Sequence, residues 1–428
     1  MGCTRKGFLG LGGMTALFAA TGCQSAVAGK SGKEQGIAGF DETDAGKVAA
    51  KKWEPFSDKV VRVGIAGHGV CQFGCEFGYE CHPNVEVVAC TDLDPKRCDD
   101  MAKRLIRKSN GRLKTLKQFK SCEEMIKEMR GKMDAVYIAT DPPSHARLAI
   151  LAMENGMHAV SAVPAFWGDI DEHYAQELID TVKKTGMIYQ MNETTAFRPE
   201  CYEMRELYRA GALGDTLYCE GEYWHYGEPK PGGAGIGSYN GWRMAAPPQW
   251  YCTHGNGFYT CVTGKSFVKT ACLGVACKQK HFSDAFSAPG NFGNRFKTEI
   301  ALLRTSDGGI ARMGKMGDCP KRIREMGCFY GTKGNYIQPW PGKSPYEGLV
   351  DVTKLPDWHK PVLPPGMPAG GHGGSHGYLT DDFVRAILLG TKPVCDVYCA
   401  VNTTLPGLYM HRSAVKDGEW MTIPQFTA

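Results

Sequence analysis

The sequence predicts an α/β fold of two domains, a doubly wound parallel sheet in the N-terminal half and an α+β domain after it. Three observations predict it. Short, mostly apolar runs at Val60–Ala66, Val85–Cys90 and Ala135–Ala139, broken only by Arg62 and Glu86, have the pattern of strands covered on both faces. Gly67-His68-Gly69 follows the first run and Asp92 the second, the order in which a nucleotide fold sets its phosphate turn and its ribose acid. With 428 residues, the chain exceeds one typical core.

The chain opens with Thr4-Arg5-Lys6-Gly7-Phe8-Leu9, a short apolar run, and Ala20-Thr21-Gly22-Cys23. Residues 1–23 therefore read as an export signal. Its start resembles a twin-arginine signal with Lys6 in the second position, and its end resembles a lipobox. In that case Cys23 is the lipidated first mature residue of a periplasmic or membrane-anchored lipoprotein; otherwise it belongs to a cleaved leader. Residues 24–58, rich in Gly, Ala, Ser and Lys, read as a tether.

Composition narrows the class. A hydrophobic fraction of 43% and a charged fraction of 22% suit a soluble globular chain. The net charge of +5 comes without a basic block, which argues against a nucleic-acid partner. Eighteen cysteines are scattered, with Cys395-x3-Cys399 as a pair and no Cys-x2-Cys repeat. They read as small buried apolar residues with room for one or two disulfides, and no metal site is expected.

Residues 59–190 form the expected nucleotide domain. Gly67 and Gly69 let backbone amides approach a pyrophosphate at the start of a helix that should follow. The usual third glycine position falls on Gln72, so Gly74 is the next candidate. Asp92, at the end of the second strand, would accept ribose hydroxyls and repel a 2′-phosphate, favouring NAD over NADP. A third strand runs into Thr140-Asp141-Pro142-Pro143-Ser144-His145, then a helix, then Gly156-Met157-His158-Ala159-Val160. These segments resemble the Gfo/Idh/MocA family of sugar and inositol oxidoreductases, and the resemblance extends from Lys59 over nearly the whole remaining chain. It implies NAD contacts at Gly67, Gly69, Gly74, Asp92, Thr140, Pro142, His145 and Pro164. The family usually continues with Glu-Lys-Pro, its lysine serving the alcohol being oxidised; here Ala162-Val163-Pro164 stands instead.

Residues 191–428 form the expected substrate domain. A helix from Pro199 to Ala210 leads to a strand from Thr216 to His225, with Tyr223 and His225 on one face and Trp224 expected in the core. Pro247 to Gly255 reads as a loop or helix entry carrying Tyr251 and His254. The glycine-rich stretch Gly370 to Tyr378 brings His372, Ser375 and His376, and two packing helices follow, Tyr378–Leu389 and Asp396–Ala414.

Tyr-x-His and Tyr-x-x-His-Gly resemble the NAD-dependent exo-glycosidases typified by α-N-acetylgalactosaminidases (glycoside hydrolase family 109), a branch that also has valine in place of the lysine. The resemblance implies a large, mostly antiparallel open sheet in the second domain, homo-oligomers formed through it, and a carbohydrate or glycoside substrate. It also implies a tightly held NAD that oxidises C3 of the sugar, so that the acidified C2 proton leaves with the C1 substituent before water adds and the hydride returns. By the same resemblance His254 moves the proton in the oxidation, Tyr223 or His225 takes the C2 proton, Tyr251 supports them, and Asn192, His372, Ser375 and His376 meet the sugar. Ser375-His376 stands where that branch has Met-Asp, so the sugar is left open. Two other readings stay open: a conventional NAD-dependent dehydrogenase using His254 as base, and a catalytically silent sugar-binding lipoprotein.

Overall fold

The computed structural model describes residues 53–69, 71–226, 245–279, 293–320, 323–337 and 344–427. The leader, and the tether up to residue 52, lie outside the described residues. Residues 53–58 are packed rather than tethering: Trp53 Nε1 donates to Asp381 at 3.4 Å, and Arg385 sits 4.1 Å from the centre of the Phe56 ring.

Six parallel strands make the first sheet: β1 (Val61–Ala66), β2 (Val85–Thr91), β3 (Lys117–Phe119), β4 (Ala135–Ile138), β5 (His158–Ser161) and β6 (Tyr189–Met191). Their order is β3-β2-β1-β4-β5-β6, so the strand order reverses beside β1 and opens a crevice at the carboxyl ends of β1 and β4. Helices α1 (Pro95–Lys108), α2 (Cys122–Glu128), α3 (Pro142–Glu154) and α4 (Tyr174–Thr185) accompany this sheet. Asp94 caps α1 by accepting from the Lys96 amide, and Pro95 opens its first turn.

The helix expected after Gly69 does not form. Two 3-10 turns, Phe73–Cys75 and Tyr79–Cys81, replace it. Gln72 (φ 57°) and Gly78 (φ 75°) take left-handed conformations just before each turn, which stops helical hydrogen bonding from propagating.

Helix α5 (Pro199–Arg209) leads into the second sheet. This sheet has eight strands, β7 (Thr216–His225), β8 (Phe267–Ala276), β9 (Phe296–Thr305), β10 (Ile310–Met316), β11 (Ile323–Gly331), β12 (Gly334–Tyr336), β13 (Tyr346–Gly348) and β14 (Met421–Thr422). Their order is β13-β12-β11-β7-β10-β9-β8-β14, antiparallel except where β7 meets β10. Helix α6 (Thr253–Thr263) packs on the inner face, followed in the chain by α7 (His376–Leu389) and α8 (Val397–Val415). Close fit explains two glycines here: a Cβ on Gly221 of β7 would lie 2.0 Å from the Gly255 carbonyl of α6, and one on Gly407 of α8 2.0 Å from the Gln249 carbonyl. Helix α7 joins the first domain through Thr380, whose hydroxyl donates to the Phe77 carbonyl at 2.8 Å, and through Asp381, which meets His82 at 3.1 Å.

The sixteen described cysteines are all free thiols, so the described residues contain none of the disulfides for which the sequence left room. No described helix is long and apolar enough to cross a membrane.

Candidate active site

A cavity of about 680 Å³ lies over the carboxyl ends of β1, β2, β4 and β5, lined among others by Gly67, Gly69, Asp92, Thr140, Val163 and Tyr251. That volume suits a cofactor. Gly67 adopts φ 92°, and a Cβ there would lie 2.5 Å from the Ala139 carbonyl, so only glycine lets the β1 and β4 ends approach this closely. Asp92 Oδ2 accepts from the His68 amide at 2.8 Å and the Gly69 amide at 3.0 Å, fixing the turn as a rigid rim. Gly74 is not on the cavity wall: a Cβ there would come 2.6 Å from the Gly67 carbonyl and from Met101 Sδ, so it is a packing glycine behind the turn. Gln72, at the usual third-glycine position, itself adopts the left-handed conformation.

Pro142 opens α3 on the cavity wall, and Thr140 beside it shares a 2.7 Å hydrogen bond with Ser144. His145 is buried, with Nδ1 2.8 Å from the Pro164 carbonyl and Nε2 3.2 Å from the Thr140 carbonyl. It ties the turn after β4 to the turn after β5, and Pro164 enters the site through that tie. Val163, between them, presents an apolar side chain to the cavity.

At the Tyr251 end of the cavity, β7, α6 with the turn before it, and the glycine-rich stretch leading into α7 together contribute a cluster of rings. Tyr223 lies 4.6 Å from His254, 5.7 Å from His225 and 5.9 Å from Tyr251, between ring centroids. His372 stacks 6.1 Å from His254 and shares a 2.8 Å hydrogen bond with His376. Residues 223, 225, 251, 254, 372 and 376, read from three separate stretches, thus meet in one place. Trp224 lies on the other face of β7, partly buried under Arg324 rather than in the core.

Electrostatics sort these rings. Burial disfavours a charged His254, but Glu193 at 2.7 Å and Glu325 at 4.0 Å outweigh it and hold its pKa above the ordinary value. Burial likewise opposes ionised Glu193, and His254 reverses that, holding the carboxyl below its ordinary range. Burial, with help from the His254 charge, pushes His372 down to about 3, and burial pushes His376 down to about 4, so both stay neutral. His372 sits at φ 51°, and a Cβ on Gly370 would lie 2.8 Å from the His376 Cβ; these glycines seat the histidine pair.

Of the residues expected at the catalytic centre and the sugar, Tyr251 is the one on the described cavity wall; Tyr223, His225, His254, His372 and His376 cluster behind it, and Asn192 and Ser375 are likewise off the wall. Asn192 is buried at the end of β6, accepting from Gln190 at 2.8 Å, and Ser375 is buried at the start of α7. The sequence reading missed Glu193, Glu325 and Lys315. Register pairs Tyr223 with Glu325 on β11 and with Lys315 on β10, and the Lys315 Nζ stands 4.2 Å from the Tyr223 ring centre. Cross-strand register of this kind has no sequence signal. Glu193 had one, an acid two residues past a parallel strand at the crevice edge.

The family model described as "Oxidoreductase family, NAD-binding Rossmann fold" (GFO_IDH_MocA) matches residues 61–193. The chain is 34% identical over 208 residues to glycosyl hydrolase family 109 protein 1 of Bacteroides fragilis strain YCH46, covering 46% of this chain and 42% of that protein. The match thus spans less than half the length of that relative. A Streptomyces niveus glycosyl hydrolase family 109 protein is 25% identical over 404 residues, covering 87% of this chain and 79% of its own. Among solved structures, scyllo-inositol dehydrogenase from Lactobacillus casei superposes with TM-score 0.63 at 17% identity, covering 86% of this chain and 99% of its own. A levoglucosan dehydrogenase in complex with NADH and levoglucosan gives 0.65 at 15% identity, covering 86% and 100%. NAD is the cofactor of the family whose model matches, and Gly67, Gly69, Asp92 and Thr140 line the cavity that would take it.

Proposed function

We propose, for a chain whose nucleotide domain belongs to the Gfo/Idh/MocA oxidoreductase family, that it cleaves glycosides by transient oxidation of the sugar. One observation carries this reading. Where a lysine would serve a simple alcohol oxidation stands Val163, while two distinct proton-carrying rings, Tyr223 and His254, stand 4.6 Å apart at the Tyr251 end of the cavity. An elimination needs two such groups, one for the hydroxyl proton at C3 and one for the carbon acid at C2.

NAD, which Gly67, Gly69, Asp92 and Thr140 would hold, would supply a hydride acceptor and donor for C3 of the sugar. His254, oriented through Nδ1 by Glu193, takes the C3 hydroxyl proton on its other ring nitrogen and gives it back at the end. Tyr223, as the phenolate that the Lys315 ammonium against its ring favours, removes the C2 proton and becomes the neutral phenol. His225 relays that proton, Tyr251 borders both the cavity and the ring cluster, and neutral His372, whose Nδ1 is paired with His376 Nε2, offers its other ring nitrogen to a sugar hydroxyl, while His376 is held through Nδ1 by the Glu76 carbonyl. No carboxylate pair flanking the glycosidic bond is required, unlike ordinary glycosidases.

The substrate in this reading is a small carbohydrate glycoside and the protein is exported and lipid-anchored at Cys23. Self-association through the second sheet is part of the same reading, supported by Leu273, Val275, Leu302 and Ile310 exposed on one face of adjacent strands. The test is a nitrophenyl-glycoside panel run on protein purified with its nucleotide. Release of nitrophenol without accumulating NADH is expected. Accumulating NADH with free sugars would instead assign a dehydrogenase, and binding without turnover a silent sugar-binding protein.

A further inference from the structure

We infer that Cys261, Cys395 and Cys399 form a three-sulfur site for one thiophilic metal ion, and that Cu(I) is the ion it fits. Sequence spacing hides the site, because 138 residues separate Cys261 from Cys399. Their Sγ atoms stand 3.8 Å apart, and all three sulfurs lie within 4.8 Å of one another, each side chain buried. Three sulfurs held about 2.3 Å from one ion in a plane stand about 4 Å apart, so the observed spacing accommodates an ion with little movement.

The donor set selects the metal. Soft thiolates favour Cu(I) or zinc over hard cations. Structural zinc takes four donors, and here the group contains three. Thr403 Oγ1 is 3.8 Å from Cys399 Sγ, but it donates to the Cys399 carbonyl at 2.6 Å and is paired with Thr260 Oγ1 at 2.6 Å. A three-coordinate, dry thiolate site therefore suits Cu(I).

The backbone prepares the site. Asp396 caps α8 by accepting from the Cys399 amide, which places Cys395 and Cys399 on either side of the positive end of a 19-residue helix. The Cys395 carbonyl is fixed by the Met191 amide at 3.0 Å. Binding replaces sulfur-bound protons, which are released to solvent, with no change of oxidation state. Cys261 lies on α6 two turns after His254, so a bound ion would clamp the helix that presents His254 against α8.

The experiment is an anaerobic titration of the reduced full chain with Cu(I) against a competing Cu(I) chelator. One tightly held equivalent is expected, lost in both Cys261→Ser and Cys399→Ser and kept in Cys71→Ser, a cysteine outside the cluster. X-ray absorption of the loaded wild-type chain, which does not depend on the variants folding, should show a shell of three sulfurs. Equal copper retention in wild type and Cys399→Ser, a shell containing nitrogen or oxygen, stronger retention of Zn(II) than Cu(I), or a Cys261–Cys399 disulfide in peptide maps of unreduced protein would each overturn the assignment.

Discussion

At the scale of single residues, the account rests on how Glu193 sets the charge of His254. Replacing the carboxylate by an amide keeps the shape but removes the attraction that offsets burial. For Glu193→Gln we expect the acid limb of the kcat/KM profile to move to lower pH, with turnover reduced by about tenfold to a hundredfold; an unmoved limb would detach Glu193 from the chemistry. Stability follows with definite signs. The raised His254 pKa contributes stability that is full below about pH 6.5 and is lost as pH rises through the folded value. The depressed Glu193 pKa contributes stability present above about pH 4.3 and lost as pH falls through its folded value. Chemical denaturation should therefore show the largest wild-type advantage over Glu193→Gln between those limits. Tyr223→Phe keeps the ring that packs against His254 and Lys315 and removes only the phenol. Activity should fall by roughly 10² to 10⁴ with the melting temperature little changed.

At the scale of elements, the first turn of the nucleotide domain bears most of the cofactor argument. Gly67→Ala places a Cβ against the Ala139 carbonyl at an unfavourable φ, with strain of roughly 1–3 kcal/mol before any clash is counted. Calorimetry should show lost NAD binding together with a lowered melting temperature. The elements around that turn were unequally legible. The strand from Thr216 to His225 is found as read, because its bounds carry turn signals and its alternation puts Tyr223 and His225 on one side. The helix after Gly69 was wrong because the nucleotide pattern alone suggested it, whereas Gln72 and Gly78 accept left-handed backbone and break the segment into two short turns. Glu325 and Lys315 were illegible for a different reason. They become site residues only through pairing with Tyr223, and register depends on strands whose order the chain does not announce. The cysteine cluster belongs with them, since helix packing rather than spacing assembles it.

At the scale of the whole molecule, the second sheet has two faces with different tasks. Its inner face carries Glu325, Tyr223, Lys315 and Glu299 in one cross-strand row, next to α6 and the buried ring cluster. Its outer face exposes Leu273, Val275, Leu302 and Ile310 beside an ion pair of 2.6 Å between Arg312 and Glu222. We propose this apolar patch as the surface through which copies of the chain associate. Leu302→Glu is expected to lower the mass seen by light scattering while leaving the inner-face site active; an unchanged mass would remove this face from the assembly.

The central claim concerns the route of bond cleavage, and isotope labelling tests it most directly. A nitrophenyl glycoside that the protein cleaves should be turned over in deuterium oxide and the released sugar examined by mass spectrometry and NMR. The account predicts deuterium at C2, none at C3, and no net NADH. Cleavage with C2 still fully protiated, or oxidised sugar accumulating with one NADH per turnover, would contradict it.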